Sequence, residues 1–234
     1  MKKRTAFIGA ILSLIPFWQP LFIKTGIALV TSKIVIFNSD WAIAETAEFY
    51  FKLGNQKLDS EDYDGAISDY TKAIKINPED GNAYRERGVA KSFLEDYKGA
   101  LSDYRKAIKI NPDDHEAYNI MGSDKLDNLN NYKGALSDFS KAIEINSQYA
   151  DAYYNRALAK ENSKDFKGAI KDYTKAIEFF PKGEDAGDAY HGRGYAKEML
   201  KDFEGAIKDY TKAAKLIPED GDLYMDTFRA KLFS

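Results

Sequence analysis

The chain has 234 residues, with 34 Lys or Arg against 37 Asp or Glu and no cysteine, so disulfides, thiol nucleophiles and Cys-ligated zinc are excluded. Residues 1–44 hold five of the basic groups and one of the acidic ones, which leaves 29 basic and 36 acidic groups in residues 45–234. A nucleic-acid binder needs a basic footprint because phosphate contacts dominate its affinity, and this balance has the opposite sign.

Met1-Lys2-Lys3-Arg4 is a basic start, and the nineteen uncharged residues from Thr5 to Ile23 resemble an export signal. A second apolar stretch, Gly26 to Phe37, leads into Ala42-Ile43-Ala44 before Glu45, a small-x-small pattern of the kind found at secretory cleavage sites. Cleavage there frees a chain starting at Glu45, where the composition turns from apolar to charged. The alternative is an uncleaved membrane anchor through residues 5–23, close to the roughly 17–25 residues that span a bilayer. Either way a single crossing carries residues 45–234 out of the cytoplasm, to the periplasm, a lumen or the cell surface. Residence in the cytoplasm is the third option.

Beyond residue 46 the chain repeats itself. Asp69-Tyr70-Thr71-Lys72-Ala73-Ile74 recurs from Asp103, Asp138, Asp172 and Asp209, at spacings of 34, 35, 34 and 37 residues, the period of stacked two-helix units. Tyr63, Ala66, Ile67, Tyr70, Ala73 and Ile74 form one apolar helical stripe. Asp62, Asp96, Asn131, Asp165 and Asp202 precede the second helices as N-caps. Three residues after each stands a glycine (Gly65, Gly99, Gly134, Gly168, Gly205), whose recurrence implies close backbone approach rather than helix propensity. Pro78, Pro112, Pro181 and Pro218 stop these helices, with Ser147 in the corresponding place of the third unit. That unit carries one extra residue near Asn128 to Asn130, which predicts a longer turn, and Glu184 to Ala186 is an insertion between units.

These residues resemble the tetratricopeptide repeat, whose signature of an aromatic, Leu-Gly, Tyr, Ala, Phe, Ala and Pro is matched by Tyr50, Leu53-Gly54, Ala66, Tyr70, Ala73 and Pro78 and by their counterparts. The repeats run over 47–80, 81–114, 115–149, 150–183 and 187–220, with a capping helix at 221–234 in which Phe228 replaces the signature glycine. Residues 1–44 stand outside the repeat domain as signal or anchor. The resemblance implies an all-α, right-handed α-solenoid of helix pairs. Arg87, Arg156 and Arg193 depart from the signature Leu, and Lys57, Lys91, Lys125, Lys160 and Lys197 from a signature Tyr. Their recurrence predicts partly buried pairs with the repeated aspartates on neighbouring helices.

No catalytic, cofactor or metal constellation emerges, so the chain is expected to be non-enzymatic. Ser60 to Gly65 resembles a calcium loop, but Ser60 and Thr71 fill its first and twelfth ligand positions, where Asp and bidentate Glu are needed. His115 and His191 are two repeats apart. What remains is surface. The resemblance implies a concave groove lined by the first helices that holds an extended or helical peptide. Its positions here are Phe51, Asn55, Arg85, Val89, Asn119, Ser123, Tyr154, Asn155, Leu158, His191 and Tyr195. The chaperone-docking version, which grips a terminal carboxylate, is disfavoured. Of Phe51, Asn55, Glu86, Glu116 and Ile120 only Asn55 fits, and Asp151 and Asp188 stand where a lysine is needed. The expected partner is a protein or peptide, with no nucleic acid, membrane contact through residues 5–23, and a monomer or weak oligomer. Other readings are an assembly or folding helper for a membrane complex and a self-associating structural array.

Overall fold

The computed structural model describes residues 27–30, 33–36, 39–180, 182–218, 226, 227, 230 and 232, with side chains described from Thr46 onward. The expected signal or anchor at residues 5–23, as well as Pro181, Tyr224, Phe228 and Lys231, lies outside them. Among the described residues no helix is long and apolar enough to cross a membrane. The chain forms two compact units, one up to Ala83 and one from Tyr84.

In the first unit, β1 (Ile27–Val30) pairs antiparallel with β2 (Lys33–Ile36), Ile27 opposite Ile36 and Val30 opposite Lys33. The β-branched content of this apolar stretch suits a pleated ladder, a feature the sequence reading had absorbed into the leader. Helix α1 (Ser39–Asp59) starts six residues before Glu45, so Ala42-Ile43-Ala44 is helical. Helix α2 (Tyr63–Ile76) folds back on it and buries Ala66, Tyr70 and Ala73 completely.

The second unit repeats this hairpin. First helices are α3 (Gly81–Phe93), α5 (His115–Asp127), α7 (Ala150–Asn162) and α9 (Glu184–Met199). Second helices are α4 (Tyr97–Ile110), α6 (Tyr132–Ile145), α8 (Phe166–Phe179) and α10 (Phe203–Leu216). Each second helix carries a fully buried Ala, aromatic, Ala stripe: Ala100, Tyr104, Ala107; Ala135, Phe139, Ala142; Ala169, Tyr173, Ala176; Ala206, Tyr210, Ala213. Burying one such aromatic side chain is worth about 2–3 kcal/mol. The α8 stripe is covered by Ala157 of its own first helix and by Ala189 and Ala196 of the next. At the end of the array Asp226, Thr227, Ala230 and Leu232 are helical, and fully buried Ala230 packs on Ala206 and Tyr210.

The N-caps form as expected: the side chains of Asp62, Asp96, Asn131, Asp165 and Asp202 accept from the backbone N–H three residues on at 3.0–3.1 Å. The glycines at those N–H groups require a correction. No other backbone crowds them; a Cβ on Gly65 would lie 2.1 Å from Asp62 Oδ2, and one on Gly99 2.0 Å from Asp96 Oδ2, so the space is taken by the cap itself. The signature glycines differ: a Cβ on Gly88 would meet the Tyr104 ring at 2.5 Å. The turn before α6 spans residues 128–131, one residue longer than the turns at 94–96 and 163–165. The insertion Glu184 to Ala186 is helical and extends α9 by a turn at its start. Helix α6 stops without proline: Asn146 Oδ1 accepts from Gln148 N at 3.1 Å, the turn Asn111 makes with Asp113 N at 3.2 Å.

The arginine pairs form within each hairpin. Arg87, Arg156 and Arg193 donate bidentately to Asp103, Asp172 and Asp209 at 2.7–2.8 Å, and Lys91, Lys160 and Lys197 add a second cation at 2.6–2.7 Å. Each guanidinium also lies over the tyrosine three residues earlier, Tyr84, Tyr153 or Tyr190, at 5.2–5.6 Å. Where Leu53 and Met121 replace the arginine, Lys57 and Lys125 carry Asp69 and Asp138. Burial, opposed by Lys125, holds the Asp138 carboxyl above its usual range.

Arg156→Leu leaves Asp172 buried with one cation, and urea denaturation is expected to show a loss of about 2–3 kcal/mol, much of it recovered when Asp172 also becomes Leu. Each turn before an N-cap holds a residue with positive φ, among them Glu95 (63°) and Lys164 (62°). Lys164→Gly is expected to raise stability by about 0.5–1 kcal/mol in the same assay, because glycine enters the left-handed region without a Cβ clash.

Candidate functional site

The first helices carry on their free faces the side chains that the resemblance pointed to. In the first unit Phe51 leans on Tyr70 at 5.8 Å, and Asn55 Oδ1 accepts from the Tyr70 hydroxyl at 2.8 Å, so both serve the hairpin. In the second unit Arg85 is 15 % exposed and is held by Asp114 at 2.9 Å, Glu116 at 3.0 Å and Glu86 at 3.1 Å. Asn119 is buried, and its Oδ1 accepts from Asn155 Nδ2 at 3.1 Å, while Ser123 Oγ lies 3.4 Å from the same Asn155 nitrogen. These polar residues tie α5 to α7 and spend their hydrogen bonds internally. Val89 faces a recess of about 430 Å³ with Ser92, Tyr104, Ile120 and Asp124, separate from the other expected residues.

Tyr154, Leu158, His191 and Tyr195 are brought together. They line a recess of about 250 Å³ between α7 and α9, with Asp188 and Gly192 on its wall and Tyr173 and Glu161 at its floor. A second recess of about 220 Å³ adjoins it through Tyr154 and Asp188 and adds Asp151, Asn155, Phe180 and Asp185. In the other repeats the buried aromatic fits against a signature glycine of its own first helix, but α7 carries Ala157 there. The Tyr173 ring lies against α9 instead, where a Cβ on Gly192 would come within 2.5 Å of Tyr173 Cζ. Ile120, at the same repeat position, lines the recess beside Tyr104 together with Val89.

The floor is a half-buried acid beside a buried phenol: the Tyr173 hydroxyl donates to Glu161 Oε2 at 3.1 Å. Burial pushes the Glu161 carboxyl above its usual range, against the pull of Tyr173 and His191. Burial, with the charges of Asp188, Glu161 and Asp185, pushes the Tyr154 phenol up to about 12. Asp151 is raised by burial and then by Asp185. His191 Nε2 faces Asp226 Oδ2 at 2.8 Å. Glu161, Asp185 and Gly192 were missed by the sequence reading. Their signals were a carboxylate at the twelfth repeat position, an acid in the insertion, and a second glycine two residues before Gly194.

Helix hairpins covering one another in series, with unfilled recesses on their first helices, define a repeat array that presents a binding face. Tetratricopeptide repeat models match residues 150–182 and residues 82–114 and 187–220, and a TPR repeat model matches 54–91 and 128–164. The chain belongs to the tetratricopeptide repeat family, and its fold is the all-α solenoid of that family. Among curated proteins no sequence matches it. Among solved structures, MamA is 28 % identical with a TM-score of 0.63, over 71 % of this chain and 95 % of that one. YrrB, described as a TPR protein with an unusual peptide-binding site, is 22 % identical with a TM-score of 0.62, over 82 % and 96 %. PilW, described as a type IV pilus biogenesis factor, is 18 % identical with a TM-score of 0.70, over 80 % and 85 %. Proteins of this family are in general non-enzymatic scaffolds, and the repeats of this chain and its structural neighbours support a scaffold for protein–protein interaction.

A raised acid binds its proton more tightly in the folded state, so folding is penalised at neutral pH and the penalty fades as the pH falls through the raised value. Glu161→Gln keeps an acceptor for Tyr173 and removes the charge. Its melting temperature is expected to exceed that of the unsubstituted chain at pH 7.5, with the difference shrinking by pH 5.

Proposed function

We propose that the chain seats an extended or helical segment of a partner protein in the groove between α7 and α9, without catalysis, and that it works outside the cytoplasm. The observation that carries the groove is the meeting of Tyr154, Leu158, His191 and Tyr195 around one recess. Aromatic groups in a preformed recess are the usual anchors of a peptide interface, and the polar groups around them can bind its backbone. The location is supported by the basic start, the uncharged run from Thr5 to Ile23 and Ala42-Ile43-Ala44 before Glu45. The N-terminal segment also favours a second reading in the same place, an assembly or folding helper held near a membrane complex.

The mass of the native protein is expected to correspond to a start at Glu45; an intact Met1 instead means an anchor or cytoplasmic residence. A photoreactive residue at position 155 is expected to crosslink to one partner, and Tyr154→Ala to weaken that partner's binding by about tenfold or more. Crosslinks confined to other faces of the repeats overturn the groove.

A further inference from the structure

We propose that the recess between α3 and α5 takes a lysine side chain from a partner protein, its ammonium seated on Asp124 and its alkyl stem along Val89 and Ile120. This site shares no residue with the groove between α7 and α9 and does not depend on it. The recess, of about 430 Å³, has apolar and aromatic walls, Val89, Phe93, Tyr97 and Ile120, with Tyr104 and Asp124 among them. Asp124 is only 6 % exposed. Its Oδ1 accepts from Ser92 Oγ at 2.7 Å and from Asn128 Nδ2 at 3.4 Å. The buried Tyr104 hydroxyl faces the same carboxyl, but neither it nor Asp124 Oδ2 makes a hydrogen bond of ordinary geometry.

Two further observations set this acid apart. At the same repeat position α3, α7 and α9 carry Ala90, Ala159 and Ala196, each fully buried, so the array closes at this place without a carboxylate. The other buried aspartates meet cations: Asp69, Asp103, Asp138, Asp172 and Asp209 on the hairpin seams, and Asp114 through Arg85. No lysine or arginine lines this recess. Burial, with the charge of nearby Asp127, holds the Asp124 carboxyl above its usual range against the pull of Ser92, Tyr104 and Asn128. An arriving cation relieves that cost, and the low dielectric of the recess strengthens the attraction. Lysine is favoured over arginine because Oδ1 already has two donors. A single bare oxygen suits a compact ammonium and leaves the second N–H of a guanidinium fork without an acceptor. The ammonium can also donate to Tyr104 Oη, and the surrounding rings favour a cation. Among the described residues no group of three metal-ligating side chains is placed to hold a metal ion, and the apolar walls suit an organic cation instead.

The test is NMR titration of the full chain, isotope-labelled at aspartate carboxyl carbons and isoleucine methyls. The probes are the blocked tripeptide acetyl-Ala-Lys-Ala-amide, its arginine and norleucine counterparts, and free n-butylammonium. The lysine tripeptide is expected to shift the Asp124 carboxyl resonance, identified by its loss in Asp124→Asn, and the Ile120 methyl, both saturably. Read at Ile120, it is expected to bind Asp124→Asn about tenfold more weakly. The arginine form is expected to bind the unsubstituted chain more weakly than lysine, and the norleucine form to leave both resonances in place. Val89→Phe, which narrows the recess and keeps the carboxylate, is expected to abolish the shifts, with circular dichroism melting used to show that each variant folds. Equal binding of norleucine overturns the charge assignment, and equal binding of arginine the choice of lysine. Shifts caused by n-butylammonium but by none of the tripeptides overturn the partner protein as source and assign a free amine. No shift with any probe overturns the site. So does an Asp124→Asn variant that melts lower yet binds the lysine tripeptide unchanged, since Asp124 is then only a tie from α5 to Ser92 of α3.

Discussion

The constraint on which the rest of the molecule depends is a consecutive pair on each second helix: an aspartate and an aromatic, both buried, at 69–70, 103–104, 138–139, 172–173 and 209–210. Neither is tolerable alone. A carboxylate without its water must be matched by cations, and a ring of that size needs a gap in the facing helix. The first helix supplies an arginine or lysine set for the acid and, in every hairpin but that of Tyr173, a glycine for the ring. The two demands fall on one face of one helix, and so fix how the hairpin closes. Tyrosine then adds a third demand, an acceptor for its hydroxyl. Asn55, Glu161 and Glu198 meet it for Tyr70, Tyr173 and Tyr210 at 2.7–3.1 Å.

Much of this is legible in the sequence because it is chemistry repeated at a fixed offset. Capping oxygens, recurrent arginines facing recurrent aspartates, and the extra residue before Asn131 each show as pattern or break of pattern, and each has a local cause. What was illegible has no residue signature. The left-handed residues before the caps are Glu61, Glu95, Asn130, Lys164 and Lys201, and only Asn130 is of a type that hints at positive φ. They adopt it because the following N–H must reach back to the first helix, as Asp165 N does to Lys160 O at 2.8 Å. The capping glycines were legible as crowded positions, but what crowds them was not, since the cap oxygen that their N–H attracts also fills the space of their Cβ.

The candidate site divides along the same line. Position within the repeat placed Tyr154, Leu158, His191 and Tyr195 on the face that opens into one recess. It could not separate them from Arg85, Asn119 and Asn155, whose side chains engage internal partners, because that depends on what a neighbouring helix offers. The second floor residue, Glu161, stands where Ser92 stands in α3, and nothing in its neighbourhood marks it until Tyr173 is seen to donate to it. Asp185 belongs to three residues that break the period. Whether an insertion becomes a loop or an added helical turn is settled only when its carbonyls find helical partners.

The core stays closed where the repeat pattern breaks. Filling the signature glycine with Ala157 narrows the slot for Tyr173 on its own first helix, and the ring is accommodated because Gly192 is bare on the next. The same two helices bring their N-terminal acids to the recess between them, one of them on the added turn. On the hairpin seam every repeated aspartate meets a cation, so the charge that the core admits is neutralised within each hairpin and the seam can close without water.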